Sequence, residues 1–483
     1  MIIRMFGGCC SCGGGECGDG DSDEYGDGSD SSDSSGGDDS GSCECDDGDS
    51  CECDANCWFC AVTTWKASSS IPEIIPFFST VSILQDMLFP ISLPVMDQIS
   101  KIAIAGWGSV SPLGVNGEAA WERYQDDAHC FIKTEFEQGT EWTSPLSPGA
   151  RAMVASLAEE NLKYRQLDPS VTYAIAASRN AIQQAGWAET RELGINLGSS
   201  RGATTAFEKY HRQFLESGGQ FTDPLASPAT TLGNIAGWTA SDLNVSGPAI
   251  SHSITCSTAL HAIINAVIWL RSGQCSRFLA GGSEAPLTSF TLAQMKALKV
   301  YSRLGEDYPC RSMDLDKKQN TMILGEGAAS FCLEKDSSKA LAFISGIGYG
   351  TETMTHGASL SADAQCLQCS MKMALEGHDP ESVDAVIMHA PGTIRGDLAE
   401  MNAVAAVFGN HQPLLTSNKW KIGHAFGASG AFSIEMALLM LMHDKFIQAP
   451  YLVRQHQKKP MRKILINGVG FGGNAASILL AAC

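Results

Sequence analysis

From residue 99 onwards the chain alternates short apolar runs with longer segments in which apolar residues recur at helical spacing. The short runs predict β-strands at Ile102–Ala105, Ala249–Ile254, Arg277–Ala280, Leu341–Ile344, Ala385–Met388 and Lys463–Ile466. The longer segments predict helices at Ser170–Gly186, Ser257–Ser272, Leu398–Phe408 and Ala428–Met442. This alternation predicts a layered α/β fold with mostly parallel strands. Two such halves fit the pattern, one over residues 99–330 and the other over residues 331–483.

The first 60 residues differ in composition from the rest of the 483-residue chain. They hold 16 acidic residues and one basic residue, whereas the remainder carries 37 acidic and 32 basic residues. Residues 1–56 are mainly Gly, Ser, Asp and Cys, and so cannot bury enough apolar surface to offset the entropy lost on ordering. We therefore predict a disordered extension over residues 1–56 and a poorly defined linker over residues 57–98. Met96 is an alternative start of the working protein.

Charge and hydropathy argue against two classes of function. Beyond residue 60 the chain is only mildly acidic, which argues against a nucleic-acid-binding surface. The apolar stretch Ile71–Val95 is interrupted by four prolines and two acidic residues, so it does not predict a stable membrane span. The start of the chain has no recognisable targeting segment, and we expect a cytoplasmic protein.

The 18 cysteines are also unevenly distributed, with ten in the first 60 residues. The other eight are scattered through the body, as expected of reduced thiols in the cytoplasm. Two CxxC pairs, Cys57 with Cys60 and Cys366 with Cys369, raise the alternative of a metal site. The first pair lies among irregularly spaced cysteines, and the second has no other pair at a matching distance. We therefore predict no metal site.

The segment Gly247–Gly273 carries the first candidate for chemistry. A strand-like run ends at Thr255, Cys256 follows, and an amphipathic helical run begins directly after it. A helix N-terminus stabilises a thiolate, which is the attacking form of cysteine. The alternative is that Cys256 is an ordinary buried small side chain.

Further motifs follow in an order that adds specificity. Each contains glycines or polar residues at the end of a predicted strand or the start of a predicted helix, where α/β folds place their sites. They are Gly281–Glu284, Gly325–Ala328, His389 after the strand Ala385–Met388, Lys419–His424, and Gly470–Asn474.

In this order the motifs resemble those of the β-ketoacyl-acyl-carrier-protein synthases, over about residues 99–483. The matching positions are Cys256, Gly325-Glu326-Gly327, His389 with Gly392-Thr393, Gly396-Asp397, Lys419 with Gly423-His424, and Gly470–Gly473. The resemblance implies a thiolase-like fold of two related mixed-sheet halves in an α-β-α-β-α arrangement. It also implies a homodimer or a heterodimer with a related subunit, no cofactor, and acyl groups carried on the phosphopantetheine of an acyl carrier protein.

The resemblance also implies roles for the matched residues. Cys256 would accept the acyl group, and His389 and His424 would stabilise the enolate formed when a malonyl thioester loses CO₂. Lys419 would belong to the same catalytic network. The alternative for Lys419 is that it is an ordinary exposed charged side chain. The alternative for the two histidines is that they are core or turn residues whose hydrogen bonds are satisfied.

Other matched residues would hold the thioester. The oxyanion hole would use the backbone N–H groups of Cys256 and Phe471, and Phe471 with Gly470 and Gly472 would gate the acyl pocket. Thr393 would contact the phosphopantetheine arm, while Glu326 and Gly392 would be structural parts of their motifs. Ordinary core packing is the alternative for Phe471.

Two departures from the family pattern affect these expectations. His-Gly-Thr-Gly-Thr in the family is His389-Ala390-Pro391-Gly392-Thr393 here, so Pro391 replaces a hydroxyl that would grip the arm. Ser433 stands where the family has a glutamate beside the lysine, with Glu435 two residues further on. The first change predicts weaker binding of the phosphopantetheine arm. The second leaves undecided which residues surround Lys419.

The sequence thus predicts a β-ketoacyl synthase that elongates carrier-bound acyl chains in fatty-acid, polyketide or aryl-polyene-type biosynthesis. The alternative is a non-catalytic or chain-length-setting partner subunit of a catalytic ketosynthase. Retention of Cys256, His389 and His424 favours the enzyme, because a pure partner needs none of them.

Overall fold

The computed structural model describes residues 101–305, 307–353 and 360–483. The predicted extension 1–56 and linker 57–98 lie outside the described residues. The strands are β1 Ile102–Val110, β2 Ile132–Phe136, β3 Gly139–Thr143, β4 Gly194–Gly198, β5 Ala249–Ile250, β6 Arg277–Glu284, β7 Gly327–Lys335, β8 Ala342–Thr351, β9 Ala385–Ile387, β10 Leu414–Thr416, β11 Lys463–Gly470 and β12 Asn474–Ala481. The helices are α1 Gly117–Tyr124, α2 Pro148–Glu160, α3 Pro169–Ala185, α4 Thr204–Glu216, α5 Ala226–Thr230, α6 Asn234–Asp242, α7 Thr258–Arg271, α8 Ser289–Ala297, α9 Gln365–Ala374, α10 Ile394–Phe408, α11 Lys419–Ile422 and α12 Ser429–Met442.

The main sheet shows that the two halves are related. Its strand order is β10-β9-β11-β12-β8-β1-β7-β6-β4-β5, with β2 and β3 forming a separate hairpin. Apart from that hairpin, each half contributes five strands to the sheet. Numbered along the chain within each half, they lie in the same order, first-fifth-fourth-second-third. This order is β1-β7-β6-β4-β5 in one half and β8-β12-β11-β9-β10 in the other. β1 and β8 pair antiparallel, with Ile102 opposite Ile344, and this joins the half-sheets edge to edge.

The prediction of mostly parallel strands is wrong for the middle of the sheet. β4 pairs parallel with β5 and β6, and β9 pairs parallel with β10 and β11. β1, β7, β8 and β12 pair only antiparallel with their neighbours. A run of apolar residues shows that a strand is buried but not which way its neighbour runs, so the pattern could not distinguish the two.

Helices pack against both half-sheets. α3 packs on β1, β7 and β6, whereas α9 packs on β8 and β12 at the other outer face. α7 and α12 contact each other, and both also contact strands of the sheet. Every residue of α12 from its start to Leu441 is buried, as expected of a helix enclosed on all sides. The predicted α-β-α-β-α layering with two mixed halves is confirmed.

Glycines explain why β1 is longer than predicted. The expected strand stops at Ala105, but β1 continues to Val110 through Gly106 and Gly108. A Cβ at Gly108 would lie 2.3 Å from the carbonyl oxygen of Ala177 on α3. These glycines therefore allow α3 to lie against the strand, where a side chain would push it away.

Candidate active site

Cys256 lies in the short connection between β5 and α7, two residues before the helix begins. Its side chain is buried, and the preceding Thr255 has a left-handed backbone with φ of +47°. The end of β11 passes so close that a Cβ at Gly470 would lie 1.7 Å from Thr255 Oγ1. Thr255 Oγ1 also donates to the carbonyl oxygen of Phe471 at 3.1 Å. Glycine at position 470 thus lets the C-terminal loop reach the cysteine.

Two histidines from the second half of the chain face this cysteine. His389 follows β9, and His424 follows α11. Their Nε2 atoms are 3.4 Å apart, and their rings meet nearly edge to face at 84°. The Cys256 Sγ and one nitrogen of each imidazole all lie within 4.8 Å of one another. The fold therefore brings together the three residues that the sequence selected from three separate motifs.

The hydrogen bonds of His424 fix its tautomer. The backbone N–H of Phe426 donates to His424 Nδ1 at 2.9 Å, so Nδ1 is the acceptor. In the neutral ring Nε2 then carries the proton and points into the site as a donor. Burial lowers the pKa of His424 to about 3, and the Lys419 charge acts in the same direction. Burial, followed by His424 and Lys419, holds the pKa of His389 well below its usual value. Both rings are therefore neutral at pH 7.

Glu400 is a site residue that the sequence reasoning missed. From α10, its two carboxylate oxygens accept the backbone N–H groups of His389 at 2.9 Å and Ala390 at 2.8 Å. Asn467 donates to the same carboxylate at 3.2 Å. Burial raises the pKa of Glu400 to about 7. The available signal was an acidic residue on the buried face of a predicted helix, eleven positions after His389.

Lys419 is buried, not an exposed charge. Its Nζ donates to Asn418 Oδ1 at 2.9 Å. Burial lowers the pKa of Lys419 to about 8, and the negative charge of Glu400 is the largest opposing effect. Ser433, at the position of the family glutamate, bonds only to the carbonyl oxygen of Ser429 among the described residues. Glu435 instead accepts from Ser109 and Trp107, so it does not substitute for that glutamate.

A buried ion pair supports the loop after His389. Lys317 Nζ and Asp397 Oδ2 are 2.9 Å apart, and Asp397 also accepts the backbone N–H of Gly392 at 3.0 Å. Thr393 caps α10 by accepting the N–H of Gly396 at 3.2 Å. Its hydroxyl hydrogen remains available to a ligand in the cavity, because this bond uses only an acceptor position.

Cys256, His389 and His424 border one cavity of about 580 Å³. Its walls include Cys256, His389, Pro391, Thr393, Glu400, His424, Phe426, Gly470 and Phe471. Phe471 is 39% exposed, whereas Cys256 is 6% exposed. Gly472 has φ of +92°, a backbone that favours glycine. Elsewhere, Glu326 accepts from the backbone of Leu146 and the hydroxyl of Tyr173, which ties three segments together.

The resting charge of Cys256 differs from the sequence-based expectation. Burial raises the pKa of the thiol to about 12, and Glu284 acts in the same direction, while Lys419, Arg201 and the Phe471 N–H oppose it. A helix N-terminus contributes at most about 2 kcal/mol to a nearby charge. Raising a thiol pKa from 9 to about 12 corresponds to about 4 kcal/mol, so the effect of burial exceeds that of the helix N-terminus. The expected thiolate is therefore a thiol in the free site.

Alkylation of Cys256 should report this thiol directly. We expect its reaction with iodoacetamide, followed by peptide mass spectrometry, to accelerate about tenfold per pH unit from pH 7 to pH 9, because only the thiolate reacts. A raised pKa places the whole titration above this range, so no plateau should appear. A plateau below pH 8 would show that the helix terminus prevails over burial.

The described part of the chain contains one cluster of potential metal ligands. There, Cys256, His389 and His424 form the single close group of three or more potential metal ligands. Cys366 is buried and Cys369 exposed on α9, and neither belongs to such a group. Cys57 and Cys60 lie outside the described residues. No helix within the described ranges has the length and apolar character needed to cross a bilayer.

Comparison with known proteins gives the family. Sequence models of the beta-ketoacyl synthase N-terminal and C-terminal domains match residues 100–339 and 341–450. A 3-oxoacyl-[acyl-carrier-protein] synthase 2 of Vibrio cholerae is 25% identical over 410 residues, which cover 78% of this chain and 98% of that protein.

Solved structures share the fold at low sequence identity, which confirms the thiolase-like prediction. The ishigamide ketosynthase/chain length factor aligns with a TM-score of 0.70 and 21% identity, over 80% of this chain and 99% of the other. A ketosynthase bound to a hexaketide, in complex with a type II PKS acyl-carrier protein, gives a TM-score of 0.70 and 20% identity, over 80% and 100%. With both domain models matched in order across the described fold, the chain belongs to the beta-ketoacyl synthase family.

Proposed function

We propose that this protein is a β-ketoacyl synthase that extends carrier-bound acyl chains through an acyl-Cys256 intermediate. The observation that carries the proposal is the meeting of Cys256 Sγ with the His389 and His424 nitrogens within 4.8 Å, at one wall of a cavity large enough for a thioester arm. The substrates would arrive on the phosphopantetheine of an acyl carrier protein, without a resident cofactor. The named relatives act in fatty-acid and polyketide synthesis, and one of these is the proposed setting.

The first step is acyl transfer to the cysteine. Cys256 Sγ bonds to the thioester carbonyl carbon, and the bond from that carbon to the carrier sulfur breaks. The cysteine proton leaves with the carrier thiol, so the step is balanced without another reactant. The Phe471 N–H, which faces Cys256 Sγ, and the Cys256 N–H would stabilise the oxyanion.

The second step is decarboxylation followed by condensation. A malonyl thioester loses CO₂, and the electrons of the broken C–C bond become an enolate. The Nε2–H of His424 is preset as a donor to that enolate oxygen, and we propose His389 Nε2 as the second donor. The enolate carbon attacks the acyl-cysteine carbonyl, the C–S bond breaks, and the Cys256 thiolate takes up a proton.

A buried charged network supports these donors. Glu400 holds the backbone at His389, and Lys419 lies close enough for the two charges to act on each other. We propose that Lys419 and Glu400 position His389 and set the field in the site, without contacting the substrate.

A chain-length-setting partner subunit is the second candidate function. It is favoured by one observation, the Ala390-Pro391 pair in the cavity loop, where Pro391 offers the arm neither a hydroxyl nor an N–H. One structural neighbour is itself a ketosynthase/chain length factor assembly. A heterodimer with a related subunit and a homodimer are both compatible with this family.

A condensation assay distinguishes these functions. The purified chain is incubated with an acyl-carrier thioester and malonyl-carrier protein, and we expect an acyl adduct on Cys256 by intact mass, CO₂ release, and an extended β-ketoacyl product. Loading without CO₂ release or product from any carrier tried would favour the partner-subunit function. Absence of loading as well would contradict the proposed enzyme.

Restoring the family hydroxyl tests the role of the proline. Pro391→Thr should change the apparent affinity for the carrier substrate by about tenfold or less, since one hydrogen bond is worth about 0.5–1.5 kcal/mol. The measurement is the substrate concentration dependence of CO₂ release, with turnover at saturation nearly unchanged. If Pro391→Thr instead switches on decarboxylation that the natural protein lacks, then the proline disables the site.

A further inference from the structure

The catalytic cavity runs from a buried inner end to an exposed mouth. Cys256, His389 and His424 border its inner end, where all three are buried. Leu298 and Arg395 border the same cavity but are exposed to solvent, so they mark its mouth. A thioester that reacts at Cys256 therefore has the rest of its arm extending towards Leu298 and Arg395.

Charge is distributed unevenly along this cavity. Among the described residues on its wall, Arg395 is the single lysine or arginine and Glu400 the single carboxylate. Glu400 is buried at the inner end, where it accepts the backbone N–H groups of the His389 loop. Asp397, in the same helical turn as Arg395, is buried and its charge is offset by Lys317. The mouth thus carries one permanent positive charge in a chain whose net charge is −20.

The guanidinium of Arg395 is available to a ligand. It has no ion-pair or hydrogen-bond partner among the described residues. The Thr393 hydroxyl hydrogen, on the same wall, is also available, as described above. The dipole of α10, which begins at Ile394, adds to the positive potential of the arginine. A ligand at the mouth would therefore meet a cation and a hydroxyl donor side by side.

The wall between the two ends suits an uncharged chain. Met295, Val300 and Met322 make it mainly apolar. The pantetheine part of a carrier arm carries no charge, so it can lie along such a wall without the cost of burying an ion. The arm's one anionic group is the phosphate at the end farthest from the thioester sulfur. With the sulfur at Cys256, that phosphate lies towards the mouth, where a guanidinium can donate two parallel N–H bonds to it.

We infer that Arg395 binds the phosphate of the phosphopantetheine arm and so makes the site select phosphopantetheine thioesters over pantetheine thioesters. This inference rests on the proposed function and assigns a residue to the anionic end of its substrates. The contact supplies binding energy on the same wall where Pro391 offers the arm no hydroxyl.

Two free thioesters of one acyl group test the inference without a carrier protein. Loading of Cys256 from hexanoyl-phosphopantetheine and from hexanoyl-pantetheine is followed by intact mass at subsaturating thioester. In both reactions the bond from Cys256 Sγ to the acyl carbon forms as the arm's thiol leaves with the cysteine proton. We expect the phosphorylated thioester to load about fivefold faster or more, the effect of one exposed but bidentate ion pair. The difference should shrink between about 0.05 M and about 0.5 M salt, because an exposed ion pair is screened.

Variants at Arg395 identify the group that recognises the phosphate. Arg395→Met should lower loading from hexanoyl-phosphopantetheine to the rate seen with hexanoyl-pantetheine. Arg395→Lys should keep part of the preference, since it keeps the charge and loses the bidentate geometry. Arg212→Met makes the same change at an exposed arginine of α4 paired with Glu137, away from the cavity, and should leave the preference intact.

The possible outcomes separate this inference from the proposed function. Equal loading from the two free thioesters overturns the inference while acyl loading stands. If Arg395→Met then still slows loading from an acyl-carrier protein, the guanidinium contacts the carrier's surface instead of the phosphate. A preference that persists in Arg395→Met also overturns the inference. No loading from any thioester or carrier overturns the proposed function and this inference together.

Discussion

Replacing Cys256 by alanine is expected to reduce acyl loading by a factor on the order of 10³ or more, because the acyl group then has no sulfur to bond to. The change removes one buried sulfur atom, so the free energy of unfolding should fall by no more than about 1 kcal/mol. Intact mass after incubation with an acyl-carrier thioester measures the first effect, and thermal unfolding measures the second.

Cys332→Ala is the matched control for this variant. Cys332 is equally a buried free thiol, but it lies on β7, away from the histidines. It should load as the natural protein does. Normal loading in Cys256→Ala would remove Cys256 from the mechanism, and loss of loading in both variants would indicate damage to the fold instead.

Removing either imidazole should lower CO₂ release from malonyl-carrier protein by about 10²–10³-fold, the usual cost of losing one donor to a developing oxyanion. His389→Ala and His424→Ala should still accept an acyl group, perceptibly more slowly, because transfer relies on Cys256 and the Phe471 loop. Radiolabelled CO₂ release measures the decarboxylation at pH 7, where both rings of the natural protein are neutral.

The control for the histidine variants is His378→Ala, in the turn after α9. His378 bonds to the carbonyl oxygen of Ser345 at 3.1 Å and does not border the catalytic cavity. It should release CO₂ at the normal rate. Unchanged release in His424→Ala would contradict the enolate-donor role, whereas simultaneous loss of acyl loading would point to a collapsed site.

The sequence predicted the grouping of Cys256, His389 and His424 because each belongs to a short motif with a local physical purpose. Cys256 precedes a helix, His389 follows a strand, and His424 follows the short helix α11, as the structure shows. Glu400 was not predicted as a site residue because the sequence around it contains no recognisable motif. Its importance comes from accepting two N–H groups eleven and ten residues earlier, a relation that only the folded loop creates.

Charge was the property that the sequence predicted least well. The position of Cys256 before α7 suggested a thiolate, but the pattern could not show how completely β11 and the cavity walls would enclose it. Lys419 illustrates the same point, because a lysine in a glycine-containing turn gives no sign that it will be buried and its pKa lowered to about 8. Burial depends on contacts distant in sequence, and it is the largest cause of the pKa shift of both residues.

The edge-to-edge join between β1 and β8 has a consequence for how the chain is made. On the ribosome, synthesis completes the first half with β1 paired to β7 alone, and its other edge lacks a partner until β8 emerges. During that interval the nascent protein presents an open strand edge, a template for association with other chains. The Cys256 thiol emerges before this interval, whereas His389 and His424 are translated after it. β8 thus closes the aggregation-prone edge first, and the later elements of the second half then bring His389 and His424 to Cys256.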